Sequence, residues 1–200
     1  MEREHMRIVL SDFMSLDGVV QAPGGRGEDT DGGFAHGGWS MPYFEPETMG
    51  PAVSELMADT EALLFGRRTW QTMAAAWPSR AGDPFADRMN EVPKYVASRT
   101  LTQDELSWPG STLLPADDAI GAIRQLRARE GKAIQVMGSA SLAAQLVEHD
   151  LVDEYRLMIE PILLGGGKRV FPDDGRARAL ELVSATTTGT GVLICTYRRR

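Results

Sequence analysis

The stretch that decides the fold is IQVMGSASLAAQL, residues 134–146. Its beginning predicts a buried strand over 133–137 that stops at Gly138, and the aliphatic spacing after it predicts a helix with Leu142 turned inward. A helix that starts directly at a strand's end aims unpaired N–H groups and a positive dipole end at one point. Anions bind at such points. Ser139 is expected to cap this helix and Ser141 to add a hydroxyl donor. The alternative is a plain Gly-Ser helix start without a ligand.

Two further turns have the same build. The run 62–65 predicts a strand, Gly66 ends it, and a helix over 67–77 begins with Arg67 and Arg68. Cations at a helix N-terminus oppose the helix dipole, so an anion beside them would relieve the conflict, although pairing with nearby carboxylates would do so as well. The third turn, 98–100, follows a predicted strand over 94–98. Because ligands collect at the carboxyl ends of parallel strands, the three turns together predict a polyphosphate ligand such as a dinucleotide.

The rest of the chain completes an α/β pattern. A strand signal opens 7–20 and turns at Asp17-Gly18; a helix over 46–59, a loop over 78–93, a short strand over 111–115 and a helix over 116–130 follow. A long strand over 153–164 and a hairpin around 189–191 close the sequence. Residues 1–200 are therefore predicted to form one α/β domain with a mostly parallel sheet and an antiparallel C-terminal hairpin.

Residues 21–44 form a glycine-rich segment that also carries aromatic side chains, among them Trp39 and Phe44. Glycine-rich loops commonly serve as flexible connections, whereas aromatics within one favour packing over a site. We keep both interpretations, a linker and a lid over a substrate.

Composition limits the class of partner. The formal net charge is -7, which argues against a nucleic-acid or anionic-membrane surface. The single cysteine, Cys195, lies in a predicted strand and excludes an internal disulfide, which fits a reducing compartment. The three histidines are far apart, so no metal site is expected. No segment resembles a membrane span or a signal peptide, and we expect a cytoplasmic protein.

The sequence resembles the dihydrofolate reductase-like superfamily, and more closely the family of the reductase domain of bacterial riboflavin biosynthesis. The matching stretches are MSLDG (14–18), LLFGRRTW (63–70), VASRT (96–100) and VMGSASLAAQLVEHDLVDEYRLMIEPILLGGGKRVF (136–171). The resemblance implies a three-layer dihydrofolate reductase-like fold, NADPH as the hydride donor and a homodimer. A contact through strand 153–164 and its glycine loop, 165–167, is expected.

The same resemblance assigns the three turns to the cofactor. The residues expected to contact it are Gly66, Arg67, Arg68, Thr69, Ser98, Arg99, Thr100, Gly138, Ser139, Ala140, Ser141 and Leu142. The motif GGWSMP (37–42) is similar to the Trp-x-x-Pro of true dihydrofolate reductases, where a carboxylate follows two residues after the proline. Phe44 occupies that position here, and Glu45 is the nearest acid.

Two further departures leave the substrate open. The riboflavin-pathway reductases carry a glutamate where this chain has Val136, and the zinc deaminase domain often fused to them is absent from this sequence. Asp17 and Glu45 are candidates to orient or protonate a substrate, although Asp17 equally suits a turn. We therefore expect an NADPH-dependent reductase acting on a small, ring-shaped substrate. The alternatives are a non-catalytic nucleotide- or flavin-binding sensor and a pterin reductase proper.

Overall fold

A computed structural model of the chain describes residues 5–80 and 82–200. Its strands are β1 (Arg7–Ser15), β2 (Thr60–Gly66), β3 (Lys94–Ala97), β4 (Ser111–Leu113), β5 (Ala133–Val136), β6 (Glu154–Glu160), β7 (Leu180–Thr187) and β8 (Leu193–Arg199). Its α-helices are α1 (Pro46–Asp59), α2 (Arg67–Ala76), α3 (Pro84–Glu91), α4 (Ala119–Arg127) and α5 (Ala140–Glu148).

All eight strands form a single sheet in the order β4-β3-β2-β5-β1-β6-β8-β7. The pairs from β4 to β6 are parallel, and β8 pairs antiparallel with both β6 and β7. The predicted parallel strands and the C-terminal hairpin are thus confirmed. Because β2 lies between β3 and β5, the three predicted ligand turns share one edge of the sheet.

The helices cover both faces of the sheet, which gives three layers. On one face, Ile8 and Leu10 of β1 pack with Leu142 and Leu146 of α5, in a core that also includes α4. On the other face, α1, α2 and α3 contribute to a second core around Phe65. Strands buried on both sides read as continuous apolar runs, which explains why 62–65 was recognisable from sequence.

Two predicted elements need correction. The segment 78–93 is not wholly a loop, because it contains α3, which begins at Pro84 after Asp83 accepts two hydrogen bonds from the first-turn amides. The long strand expected over 153–164 ends at Glu160, directly before Pro161, whose nitrogen cannot donate to a sheet. This strand also lies inside the sheet, between β1 and β8, so its backbone is not free to pair with a second subunit.

The free edge on that side is β7. It is exposed almost throughout, and it carries Leu182 and Val183. Cys195 is buried on β8, as its position in an apolar strand predicted. Among the described residues, no helix is long and apolar enough to cross a bilayer.

Helix α5, which follows β5, should be essential to the stability of the fold. Leu146 of α5 is fully buried, so Leu146→Ala is expected to lower the free energy of unfolding by about 2–5 kcal/mol, from lost burial and the remaining cavity. The control Leu163→Ala, at a side chain 70% exposed, should change it by less than about 0.5 kcal/mol. Urea unfolding of both variants provides the measurement, and equal effects would contradict this placement of α5.

Candidate functional site

The three turns meet at the carboxyl edge of the sheet. Gly66 at the end of β2 pairs with Ala97 of β3, so Ser98 comes directly beside it. On the other side, the Gly66 amide donates a hydrogen bond to the Gly138 carbonyl at 3.4 Å. The N-termini of α2 and α5 are therefore held next to each other.

Two glycines make this close approach possible. A Cβ added at Gly66 would lie 2.0 Å from Oγ of Ser139, so a larger residue there would force Ser139 to move. Gly138 has a φ of 93°, which favours glycine, and the peptide bond that follows it is cis. A Cβ at Gly138 would meet Oγ1 of Thr69 at 3.0 Å. The two glycines thus bring the starts of both helices into close contact.

Both helix N-termini lack a side-chain cap. Ser139 was expected to cap α5, but it makes no cap hydrogen bond, and its hydroxyl lies 3.3 Å from that of Ser141. Gly66 cannot cap α2. By contrast, Asp83 and Asp118 cap α3 and α4. The first-turn N–H groups of α2 and α5 therefore have no side-chain acceptor at the N-cap, as an anion-binding turn requires.

The arginines at this edge differ in their surroundings. Arg68 is paired with Asp29 at 3.1 Å and with Asp31 at 2.6 Å, both from the segment 21–44. Arg67 makes only a long contact of 3.5 Å with Gln71 of its own helix. Arg99 is exposed in the third turn. Pairing with carboxylates therefore compensates the charge of Arg68, whereas Arg67 has no charged partner among the described residues.

The third turn is internally bonded. Oγ of Ser98 accepts hydrogen bonds from the amides of Thr100 and Leu101, at 3.1 and 3.0 Å. The Ser98 hydroxyl therefore shapes the turn, and it leaves the side chains of Arg99 and Thr100 exposed at the edge.

The segment 21–44 packs against the ends of β1 and β6 rather than trailing as a free linker. The indole of Trp39 is buried and donates to the Gln21 carbonyl at 2.8 Å. Ser40 donates to Glu160 at 2.8 Å. Lys168, in the loop after β6, bonds both Asp29 and Asp31. These carboxylates consequently join the segment to α2 on one side and to the loop after β6 on the other.

Asp17 has the contacts of a structural carboxylate. Its Oδ1 accepts from the Ser15 hydroxyl at 2.7 Å and from the Leu164 amide at 3.1 Å, and its Oδ2 accepts from the Gly165 amide at 2.9 Å. The bond from Ser15, followed by that from Leu164, lowers the pKa of Asp17 to about 2. A carboxylate held ionised in this way is a poor proton donor, so the geometry favours the turn role.

Glu45 is engaged in a similar way. One oxygen accepts from the Gly189 amide at 2.8 Å, in the turn between β7 and β8, and the other accepts from the Thr48 hydroxyl. Thr190 adds a bond to the Tyr43 carbonyl. Glu45 therefore joins the start of α1 to the C-terminal hairpin, while the neighbouring Phe44 is largely exposed.

Sequence reasoning missed two buried carboxyl groups near this edge. Asp12 on β1 and Glu160 on β6 each have one buried oxygen without a hydrogen-bond partner among the described residues. Burial raises the pKa of Glu160 to about 7. In the sequence, Asp12 could have been recognised as an acidic residue on the core-facing side of β1. It alternates there with the apolar residues Ile8, Leu10 and Met14. Within residues 5–80 and 82–200, no three metal-ligating side chains cluster.

Sheet order, layers and paired turns define a dihydrofolate reductase-like α/β protein. The fold is shared with a dihydrofolate reductase from Enterococcus faecalis complexed with NADP(H), at a TM-score of 0.60 and 13% identity over 97% of this chain and 96% of that one. A protein from Shewanella sp. PV-4 named for riboflavin biosynthesis superposes at a TM-score of 0.70, with 19% identity over 98% and 99% of the two chains.

The family model described as the RibD C-terminal domain matches residues 7–194, so the chain belongs to the RibD C-terminal domain family. The protein YyaP of Bacillus subtilis (strain 168) is 27% identical over 96% of this chain and 94% of its own length. The family and the fold together support a reductase-type function.

The structural role of Asp17 has a pH signature. Asp17→Asn should lower the free energy of unfolding near neutral pH by about 1–3 kcal/mol, because the amides of Leu164 and Gly165 lose a charged acceptor. A depressed folded pKa stabilises the fold above the unfolded value of about 3.9, and that stabilisation is lost as pH falls through about 2. The difference between variant and wild type should therefore shrink between about pH 4 and pH 2.

Urea unfolding at several pH values measures this difference. Asp173→Asn is the matched control, at an exposed aspartate, and should leave the stability unchanged at every pH. A pH-independent loss in Asp17→Asn would contradict the assignment.

Proposed function

We propose that this protein is an NADPH-dependent reductase that transfers a hydride to a small, ring-shaped substrate. The observation that carries the proposal is the contact between Gly66 and Gly138, which places two uncapped helix N-termini side by side. One helix start can bind one phosphate, and two adjacent ones suit a pyrophosphate. The glycines allow the two turns to pack closely, with Ser139 against Gly66 and Thr69 against Gly138.

We assign the turn residues to different parts of the cofactor. Gly66 and Thr69 of the first turn and Gly138, Ser139, Ala140, Ser141 and Leu142 of the second would hold the pyrophosphate. Arg67, with Ser98, Arg99 and Thr100 of the third turn, would surround the 2'-phosphate. Arg68 would contribute indirectly, because its guanidinium already binds Asp29 and Asp31. The nicotinamide, when bound, supplies the hydride, and the chain's own part is positioning and exclusion of water.

The segment 21–44 would act as the lid. Its ion pairs and the Ser40–Glu160 bond hold it against the end of β6, and its own Trp39 is buried. Phe44, exposed at the end of this segment, would face an entering substrate. Glu45 binds the hairpin amide of Gly189, which argues against pterin protonation by that carboxylate.

We also propose a homodimer. Since β6 is internal, the contact expected from the sequence moves to the exposed edge strand β7, whose backbone can pair with a second copy. The Gly165–Gly167 loop lies on the other side of β6 and is bonded to Asp17.

Cofactor preference tests the proposed function. An arginine bonded to the 2'-phosphate contributes about 1.5–3 kcal/mol, so NADPH should bind roughly ten- to a hundred-fold more tightly than NADH. Arg67→Ala or Arg99→Ala should erode this preference and leave NADH affinity nearly unchanged. Arg68→Ala should have the smaller effect, because Arg68 is already ion-paired.

Titration calorimetry gives the affinities, with Arg124→Ala on the exposed side of α4 as the matched control. Equal wild-type affinities for NADPH and NADH would contradict the phosphate assignment. Binding of neither cofactor would favour the sensor of another nucleotide or a flavin.

Light scattering tests the homodimer. Wild type at micromolar concentration should show twice the chain mass of 21.9 kDa. Leu182→Asp on β7 should shift the population to the monomer, because a charge at a paired edge is desolvated. Leu163→Asp, beside the glycine loop, should remain dimeric. A monomeric wild type would refute the proposed homodimer. If Leu163→Asp dissociated the dimer and Leu182→Asp did not, the dimer contact would lie at the glycine loop 165–167 instead of at β7.

A further inference from the structure

Backbone pairing between β1 and β5 stops before the end of β1, and we call this break in pairing the crevice. Their last paired residues are Leu10 and Val136, whereas β1 stays paired with β6 as far as Ser15. The two strands also leave the sheet on opposite faces, since β1 leads to α1 and β5 to α5. This is the switch point at which ligands bind in open parallel sheets.

Asp12 lies in this crevice. It is two residues beyond the last β1–β5 pair, at the level that Gly138 occupies after Val136. The alternation along β1 places it on the same side as Leu10 and Met14, which face α5. The residue is half-buried, and its Oδ2 is fully buried without a hydrogen-bond partner in the described parts of the chain. An unpaired buried carboxyl oxygen is costly, and such groups concentrate at functional sites.

Glu28 is the charged neighbour of Asp12. It comes from the segment 21–44, and its Oε2 is held by the amides of Gly24 and Gly25 at 2.8 and 3.1 Å. Burial, with the negative charge of Glu28 as the second cause, raises the pKa of Asp12 well above its usual range. Burial raises the pKa of Glu28 as well. Burial and the charge of Glu28 both favour the protonated form of the Asp12 carboxyl group.

We propose that Asp12 is the catalytic acid of this site, and that Glu28 on the overlying segment keeps the proton on it. The inference rests on the proposed reductase function. As the hydride forms a new C–H bond on a substrate C=N or C=O carbon, the π electrons move to the nitrogen or oxygen. That atom would take the Asp12 proton, the cofactor would supply the two electrons with the hydride, and a proton from bulk solvent would restore the Asp12 carboxyl group. Asp17 and Glu45 suit this role less well, because main-chain amides already donate hydrogen bonds to their oxygens.

Proton release on cofactor binding tests the assignment without a known substrate. The oxidised nicotinamide ring carries a positive charge, which favours the ionised form of a carboxyl beside it. Titration of wild type with NADP+ in buffers of different ionisation enthalpy should show release of up to about one proton. NADPH, whose ring is neutral, should release far less. If neither cofactor binds, the proposed function itself fails.

Variants decide which group releases the proton. Asp12→Asn should bind NADP+ without release, while the exposed control Asp173→Asn should behave as wild type. Glu28→Gln removes the repelling charge, so Asp12 should ionise at lower pH and release fewer protons on NADP+ binding. This variant tests the idea even if Asp12→Asn folds poorly.

On any C=N or C=O probe that wild type reduces, Asp12→Asn should lower kcat by about 10²–10⁴-fold with little change in the KM for NADPH. Cofactor binding without release, or release unchanged in Asp12→Asn and Glu28→Gln, would overturn the assignment of Asp12.

Discussion

The contact between the turns at Gly66 and Gly138 is the constraint on which the rest of the site depends. It requires a residue without a side chain at Gly66, because a Cβ there would overlap Ser139, and a positive φ at Gly138. Once the turns touch, β2 and β5 must pair in parallel, and α2 and α5 must begin at the same point. Two helix dipoles of like direction then converge, an arrangement that a bound anion stabilises.

The sequence could predict this framework because its signals are local. Apolar runs that end at Gly66 and Gly138 mark buried parallel strands, and the residues after them start helices without a break. The helix α3 was missed because it is short and polar, although Asp83-Pro84 carried a helix-start signal in the N-cap and N1 positions. Where β6 sits in the sheet could not be predicted, since strand order arises from crossovers and not from the strand's own pattern.

The roles of acidic residues were harder to predict, because their partners come from distant segments. Asp17 accepts hydrogen bonds from the amides of Leu164 and Gly165, and Glu45 accepts one from the amide of Gly189. No local pattern shows that these carboxylates are committed to main-chain amides. Asp12 was not recognised from the sequence for a different reason. It lies within a strand and lacks the glycine-rich surroundings that attract attention, and its unpaired oxygen is visible only once β1 and β5 are seen to separate.

Charge at the start of α2 explains how the segment 21–44 is coupled to the site. Two consecutive arginines oppose the positive end of a helix dipole, and each must be compensated. Asp29 and Asp31 compensate Arg68 from within the chain, and Lys168 shares the same carboxylates. Arg67 has no such partner among the described residues, so under the proposed function a ligand anion would compensate it. The carboxylates that hold the segment in place thereby also determine which arginine is available, and the same segment carries Glu28 to the crevice. Anion binding at the turns and closure over Asp12 would then be parts of one electrostatic arrangement.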